Sequence, residues 1–162
     1  MKSQHLLLMV SLVCTSAWAN EDISKVNGRI SAEAGQSYGA LDTVNGSIEI
    51  GAGAQTKSVE TVNGSIGLVE TELGKGIETV NGDITVGVGS HVHGGIEVTK
   101  PNFSLSFKPS RKPRVVIGPN AVVDGQLQFE REVNLYVHRT ARIGAVTGAT
   151  ARSFDSDVAP KD

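Results

Sequence analysis

The chain has one cysteine, one tryptophan and an aromatic share of only 4% in 162 residues. Each scarcity excludes something. The cysteine is Cys14, inside a segment that reads as a removable leader, so no disulfide can staple what remains. With few aromatic rings, the interior must be filled by aliphatic side chains. Long apolar runs are lacking as well. The run over residues 6–13 is far shorter than the about 20 residues a membrane-crossing helix needs, so no transmembrane segment is expected in the mature chain. Neither sign of charge dominates, with 15 Lys and Arg against 17 Asp and Glu, and nothing in that balance draws the chain to nucleic acid. After the leader, no window carries apolar residues at helical spacing.

The leader has its own marks. Lys2 supplies a positive charge, residues 6–13 are apolar, and Ala17-Trp18-Ala19 is a cleavage signature. Residues 1–19 are expected to be a signal peptide, the mature chain to begin at Asn20, and the protein to be exported, periplasmic or extracellular. Loss of Lys2 shifts the formal charge from −2 to −3.

What is abundant is glycine, 19 residues of it, together with Val, Ile, Thr and Asn. Such a composition suits short strands and many corners. Val-Asn-Gly occurs at Val26-Asn27-Gly28, Val44-Asn45-Gly46, Val62-Asn63-Gly64 and Val80-Asn81-Gly82, each copy 18 residues after the last. Asn-Gly between strands usually marks a hairpin, but hairpins give no cause for a fixed period. A solenoid does, because each coil lies on the one below at strand spacing and like residues recur once per coil.

The expected fold is therefore all-β, a single-stranded parallel β-helix with coils of about 18 to 20 residues. Stacked at that period, Ile23, Leu41, Val59 and Ile77 form one apolar column and Val26, Val44, Val62 and Val80 another. Ile30, Ile48, Ile66 and Ile84 form a third, and Ala32, Ile50, Leu68 and Val86 a fourth. All four are expected to face inward. At the corner, Asn27, Asn45, Asn63 and Asn81 should stack amide on amide, as in cross-β ladders. Gly28, Gly46, Gly64 and Gly82 should turn the chain at positive φ. The motif is read as architecture, with no catalytic role.

The VNG-type coils extend over residues 20–99. Ile77 to Ile96 is 19 residues, which places one inserted residue in the corner that also carries His91-Val92-His93. With Val92 inward, both imidazoles share an outer face and make half of a metal site. Two ligands are too few, so His91 and His93 are read as surface histidines, with no metal and no cofactor expected. Asp42, Glu60 and Glu78 form an acidic column that suggests a calcium-binding alternative. Thr43, Thr61 and Thr79 form a hydroxyl column of the kind ice-binding helices display, interrupted at Lys25.

Residues 100–114 break the pattern. Pro101, Pro109 and Pro113 punctuate a stretch bearing Lys100, Lys108, Arg111, Lys112 and Arg114, while Phe103, Leu105 and Phe107 alternate like a strand. The five cations are the candidate patch for an anionic partner such as lipid head groups or envelope glycan. A second repeat follows over residues 115–149, where Val115, Ile117, Ala121 and Val123 match Leu135, Val137, Ala141 and Ile143 at a spacing of 20. Residues 20–149 are thus read as one solenoid domain and residues 150–162 as a mobile polar tail.

Thr43-Val44-Asn45-Gly46-Ser47-Ile48-Glu49-Ile50 and Glu78-Thr79-Val80-Asn81-Gly82-Asp83-Ile84-Thr85-Val86 resemble the repeats of the DUF4097 adhesin-like family of secreted β-solenoids. Residues 115–125 are similar to a coil of the bactofilins, polymer-forming cytoskeletal proteins. The resemblance implies a right-handed helix and supplies no catalytic motif; spacing alone also suits the left-handed helix of hexapeptide acyltransferases. With no clustered Ser/His/Asp, paired carboxylates or phosphate loop, the expected function is non-catalytic. It would be a structural, adhesive or self-assembling solenoid of the bacterial cell envelope, stacking end to end unless the polar tail obstructs it. The alternative is a polysaccharide-binding or polysaccharide-processing β-helix with a cation site.

Overall fold

A computed structural model describes residues 20–101 and 111–161. The expected leader therefore lies outside the described residues, as do Phe103, Leu105, Phe107, Lys108 and Pro109. Every described element is a strand, and every strand pair is parallel. The chain winds as a β-solenoid of about seven turns.

The first three coils have two sides. They are β1 (Ile23–Asn27) with β2 (Ile30–Ala32), β3 (Ser37–Asn45) with β4 (Ile48–Ile50), and β5 (Gln55–Asn63) with β6 (Ile66–Leu68). The next four have three. They are β7 (Glu72–Leu73), β8 (Ile77–Thr79) and β9 (Ile84–Val86); β10 (His91–Val92), β11 (Ile96–Val98) and β12 (Arg114–Ile117); β13 (Val122–Val123), β14 (Leu127–Phe129) and β15 (Asn134–His138); and β16 (Arg142–Ile143), β17 (Val146–Thr147) and β18 (Ala151–Phe154). One sheet stacks a strand from each coil, from β2 to β18. The other begins with β1, β3 and β5 and then forks, because β5 pairs with β7 through Gln55 and Thr56 and with β8 from Val59 to Thr61.

The fork has a local cause. Thr56 and Val59 are separated by two residues, whereas their partners Leu73 and Ile77 are separated by Gly74-Lys75-Gly76. One extra residue and two glycines bend a long strand into a corner.

Three of the four predicted columns face inward. Leu41, Val59, Ile77, Ile96 and Leu127 fill one wall of the core, and Ile30, Ile48, Ile66, Ile84, Val115 and Leu135 another. The Val26 column does not: Val26 is 66% and Val44 41% exposed. Strand alternation explains the reversal. Two residues beyond Leu41, Val59 and Ile77 come Thr43, Thr61 and Thr79, which are buried, so the valine that follows points out. The hydroxyl column is therefore interior and offers no face to ice. Among the described residues, the Oγ1 atoms of Thr43 and Thr79 have no hydrogen-bond partner.

The role of the corner glycines also differs from expectation. Gly28 has φ +104° and Gly64 +159°, the latter nearly extended, but Gly46 and Gly82 have no positive φ. They are glycines because a Cβ on Gly46 would overlap the Gly28 carbonyl oxygen, and one on Gly82 that of Gly64. The left-handed column lies at the opposite corner, after the second sheet. There Gly35 (φ +70°), Gly53 (+72°), Glu70 (+47°), Gly89 (+63°) and Asn120 (+54°) recur once per coil. Their backbones connect by bonds from Gly35 N to Ala52 O, Gly53 N to Glu70 O, Glu70 N to Val88 O and Gly89 N to Pro119 O, at 2.8 to 3.0 Å.

The break over residues 100–113 is an excursion between β11 and β12. It lengthens that coil from Ile96 to Leu127, its register partner, to 31 residues, and the stack resumes in register beyond it. The predicted mobile tail is corrected at its start: residues 151–154 form β18, paired with β15, and Phe154 is buried. Outside the second sheet, Val116, Tyr136 and Phe154 form a small separate core against which Ala159 packs. Arg114 Nη2 donates to Pro160 O at 2.6 Å, so the tail runs back along the outer face of that sheet.

Candidate functional site

The corner motif forms a continuous amide ladder. Asn45 Nδ2 donates to Asn27 Oδ1 at 3.3 Å, Asn63 to Asn45 at 3.1 Å and Asn81 to Asn63 at 3.2 Å. Each donor points toward the N-terminal end, so an acceptor is left over at Asn81. Arg131, two coils up, takes it: Nη1 donates to Asn81 Oδ1 and, at 2.9 Å, to Val80 O. In the coil between them Lys100 stands at the ladder position, and the Arg131 guanidinium reaches past that coil to Asn81.

The basic residues of the break are largely engaged within the chain. Arg111 Nη2 donates to Asp83 Oδ2 at 2.7 Å, and the Arg114 backbone N–H donates to Asp83 Oδ1 at 2.8 Å. Lys112 Nζ pairs with Glu132 at 3.0 Å. Arg114 lies 5.2 Å from the Tyr136 ring centroid. Lys100 is exposed, and its backbone N–H donates to Glu130 Oε2.

The acidic column extends one coil further than the sequence suggested, with Asp42, Glu60, Glu78 and Glu97 in register. Three of them, Glu60, Glu78 and Glu97, line a shallow groove of about 310 Å³ together with Lys75, Gln126 and Gln128. Partial burial, then the repulsion of Glu60, Glu97 and Glu130, raises the pKa of Glu78 above the ordinary carboxylate value. Partial burial and the charge of Asp22 raise that of Asp42.

The densest polar cluster lies on the third wall, the one the fork creates. Glu72 in β7 is in register with His91 in β10, and His91 with Val122 in β13. One residue beyond these paired segments come Gly74, His93 and Asp124, with His93 N bonded to Leu73 O and Asp124 N to Val92 O. Val92 points into the core, which sends both imidazoles outward. Gly74 has no side chain beneath His93, so Glu72 can reach across to it.

The two rings stand with centroids 4.0 Å apart. One edge of the pair faces Glu72, whose Oε1 meets His93 Nε2 in a short contact and His91 Nδ1 at 3.6 Å. The other edge faces Asp124, whose Oδ2 meets His91 Nε2 at 2.7 Å and His93 Nδ1 at 3.3 Å. Bonding to Glu72 is the main reason the His93 pKa lies above the ordinary imidazole value, and bonding to His91 the main reason that of Asp124 lies below the ordinary carboxylate value. His138 belongs elsewhere, on β15, with Nδ1 2.8 Å from Thr140 Oγ1 and its ring against Phe154.

Sequence reasoning found the histidines and missed both acids. The available signal was Glu72, which sits one 19-residue coil before His91. Asp124 lies beyond the excursion, at a spacing no regular period predicts. Comparison of the chain with protein-family models, curated proteins and solved structures returns no match.

Proposed function

We propose that this protein is an exported, non-catalytic β-solenoid that serves as a structural rod in the bacterial cell envelope and lengthens by end-to-end association. The observation that carries this reading is the shared register of its two ends. Ile23 in the first coil and Val146 in the last belong to one column, and Ile30 and Ala151 to another. Among the described residues β1 and β2 pair on one edge only, as do β16, β17 and β18. A second copy set on the last coil therefore continues both sheets by backbone pairing, which is how unprotected strand edges associate. The leader supports export, and the resemblance to secreted and polymer-forming solenoids agrees with both halves of the proposal.

Sedimentation of the mature chain across a concentration series, with electron microscopy of the same samples, tests it. Concentration-dependent species that grow along one axis are expected. A monomer at every concentration, featureless in the microscope, sinks the self-assembling role.

A further inference from the structure

The paired imidazoles have two distinct edges, and the chemistry at each is different. On one edge, His91 Nδ1, His93 Nε2 and Glu72 Oε1 converge, with these ligand atoms all within 4.8 Å of one another. A tetrahedral zinc ion with bonds of about 2.0 to 2.1 Å holds its ligand atoms about 3.3 Å apart. The 3.6 Å between His91 Nδ1 and Glu72 Oε1 is close to that spacing, whereas Glu72 Oε1 touches His93 Nε2 directly and must draw back for an ion to enter between them. On the other edge a single carboxylate oxygen, Asp124 Oδ2, holds the remaining nitrogen of each ring, at 2.7 and 3.3 Å. A carboxylate on the far nitrogen fixes which nitrogen of a histidine is free to bind metal and makes it more basic.

We propose that Glu72, His91 and His93 form a site for a zinc ion, with Asp124 as the positioning residue that aims both imidazoles. The donor set of two imidazoles and one carboxylate matches a borderline divalent ion better than calcium, which takes six to eight oxygens. All four side chains are partly exposed, with between 32% and 50% of their surface open, so the ion has a path in and its fourth position faces solvent. The ligands come from two successive coils and the positioning carboxylate from a third. His91 and His93 precede the excursion and Asp124 follows it, so the Asp124 carboxylate, through the rings it aims, ties the site to the coil beyond the excursion.

The test uses the mature chain without an affinity tag, titrated with zinc chloride by calorimetry after chelator treatment, and cobalt as a spectroscopic stand-in. One zinc per chain is expected, with a rise in melting temperature and intense cobalt d–d bands. His93→Ala and Glu72→Gln should abolish the bands while circular dichroism keeps its β signature. Asp124→Asn should retain the stoichiometry and weaken affinity by about 10- to 100-fold. No saturable zinc binding by the parent chain overturns the site, as does undiminished binding by the His91→Ala/His93→Ala double variant. Affinity unchanged in Asp124→Asn overturns the positioning role.

Discussion

The first three coils and the last four solve the same stacking problem by different means. In the first three, like sits on like: Asn27, Asn45 and Asn63 in one ladder, Gly28, Gly46 and Gly64 in the next, at a constant 18 residues. Nine-residue strands β3 and β5 span a whole side. In the last four, the strands are short, corners are more numerous, and register partners are 16 to 31 residues apart. The core columns continue through both regions. Identity of the stacked residues is thus needed where backbones touch at a corner, while an apolar inward column suffices where they do not.

Substitutions can break that comparison, and the largest effect belongs to the glycine ladder. A side chain at Gly64 must displace the Gly46 carbonyl oxygen, so Gly64→Val should cost about 3 kcal/mol or more in chemical unfolding. At the corner of the fork, a Cβ on Gly74 meets nothing nearer than 3.8 Å, and Gly74→Ala should stay within about 0.5 kcal/mol. Equal losses would show that Gly74 is packed as tightly as Gly64; Gly76 at the same corner, where a Cβ would meet Gly95 O at 2.7 Å, is not a tolerant position.

A gain is expected in the buried threonine column. Thr79 has 0% exposure and an unpartnered hydroxyl, and Thr79→Val removes that oxygen at nearly constant shape. The melting midpoint should rise, by about 1 kcal/mol of stability. A fall would mean that the hydroxyl is hydrogen-bonded in the folded chain. Next comes Glu70, a non-glycine residue in a column otherwise made of glycines and Asn120. Relief of its left-handed backbone makes Glu70→Gly neutral or stabilising by up to about 1 kcal/mol, whereas Gly53→Ala should destabilise.

The smallest effect is electrostatic. Because the folded state raises the pKa of Glu78, it holds that proton more tightly than the unfolded chain does. The associated stability is present below the ordinary carboxylate value and is lost as pH rises through the raised one. Glu78→Gln should therefore raise the melting temperature at neutral pH by about 1 to 2 °C and flatten its decline as pH rises above the ordinary carboxylate value. An unchanged pH profile would show that neighbouring cations already screen the acidic column.

The solenoid was legible because its cause is repetition, and the inward Ile23 and Ile30 columns follow from counting. The Val26 column was misread because hydrophobicity was set above parity. Alternation from Leu41 puts Thr43 inside, and a threonine can fill the space of a valine. The left-handed column went unnoticed since its members, Gly35, Gly53, Glu70, Gly89 and Asn120, share a backbone state and no side-chain chemistry. The zinc-site candidate was half legible. Its histidines are two residues apart in sequence, but Asp124 joins them only because β13 pairs with β10 across an insertion that hides the period.

The amide ladder has a direction, with donors facing the N-terminal end of the stack and a guanidinium closing the ladder at its other end. A closed end makes length a modular quantity. An extra 18-residue unit inserted between Asn45 and Asn63 would find a donor above and an acceptor below, and Arg131 would still cover the last amide. Each such unit would extend the rod by one strand spacing, about 4.8 Å, leaving the fork and the excursion undisturbed. The part of the molecule that repeats most strictly is therefore the part whose copy number can change most freely.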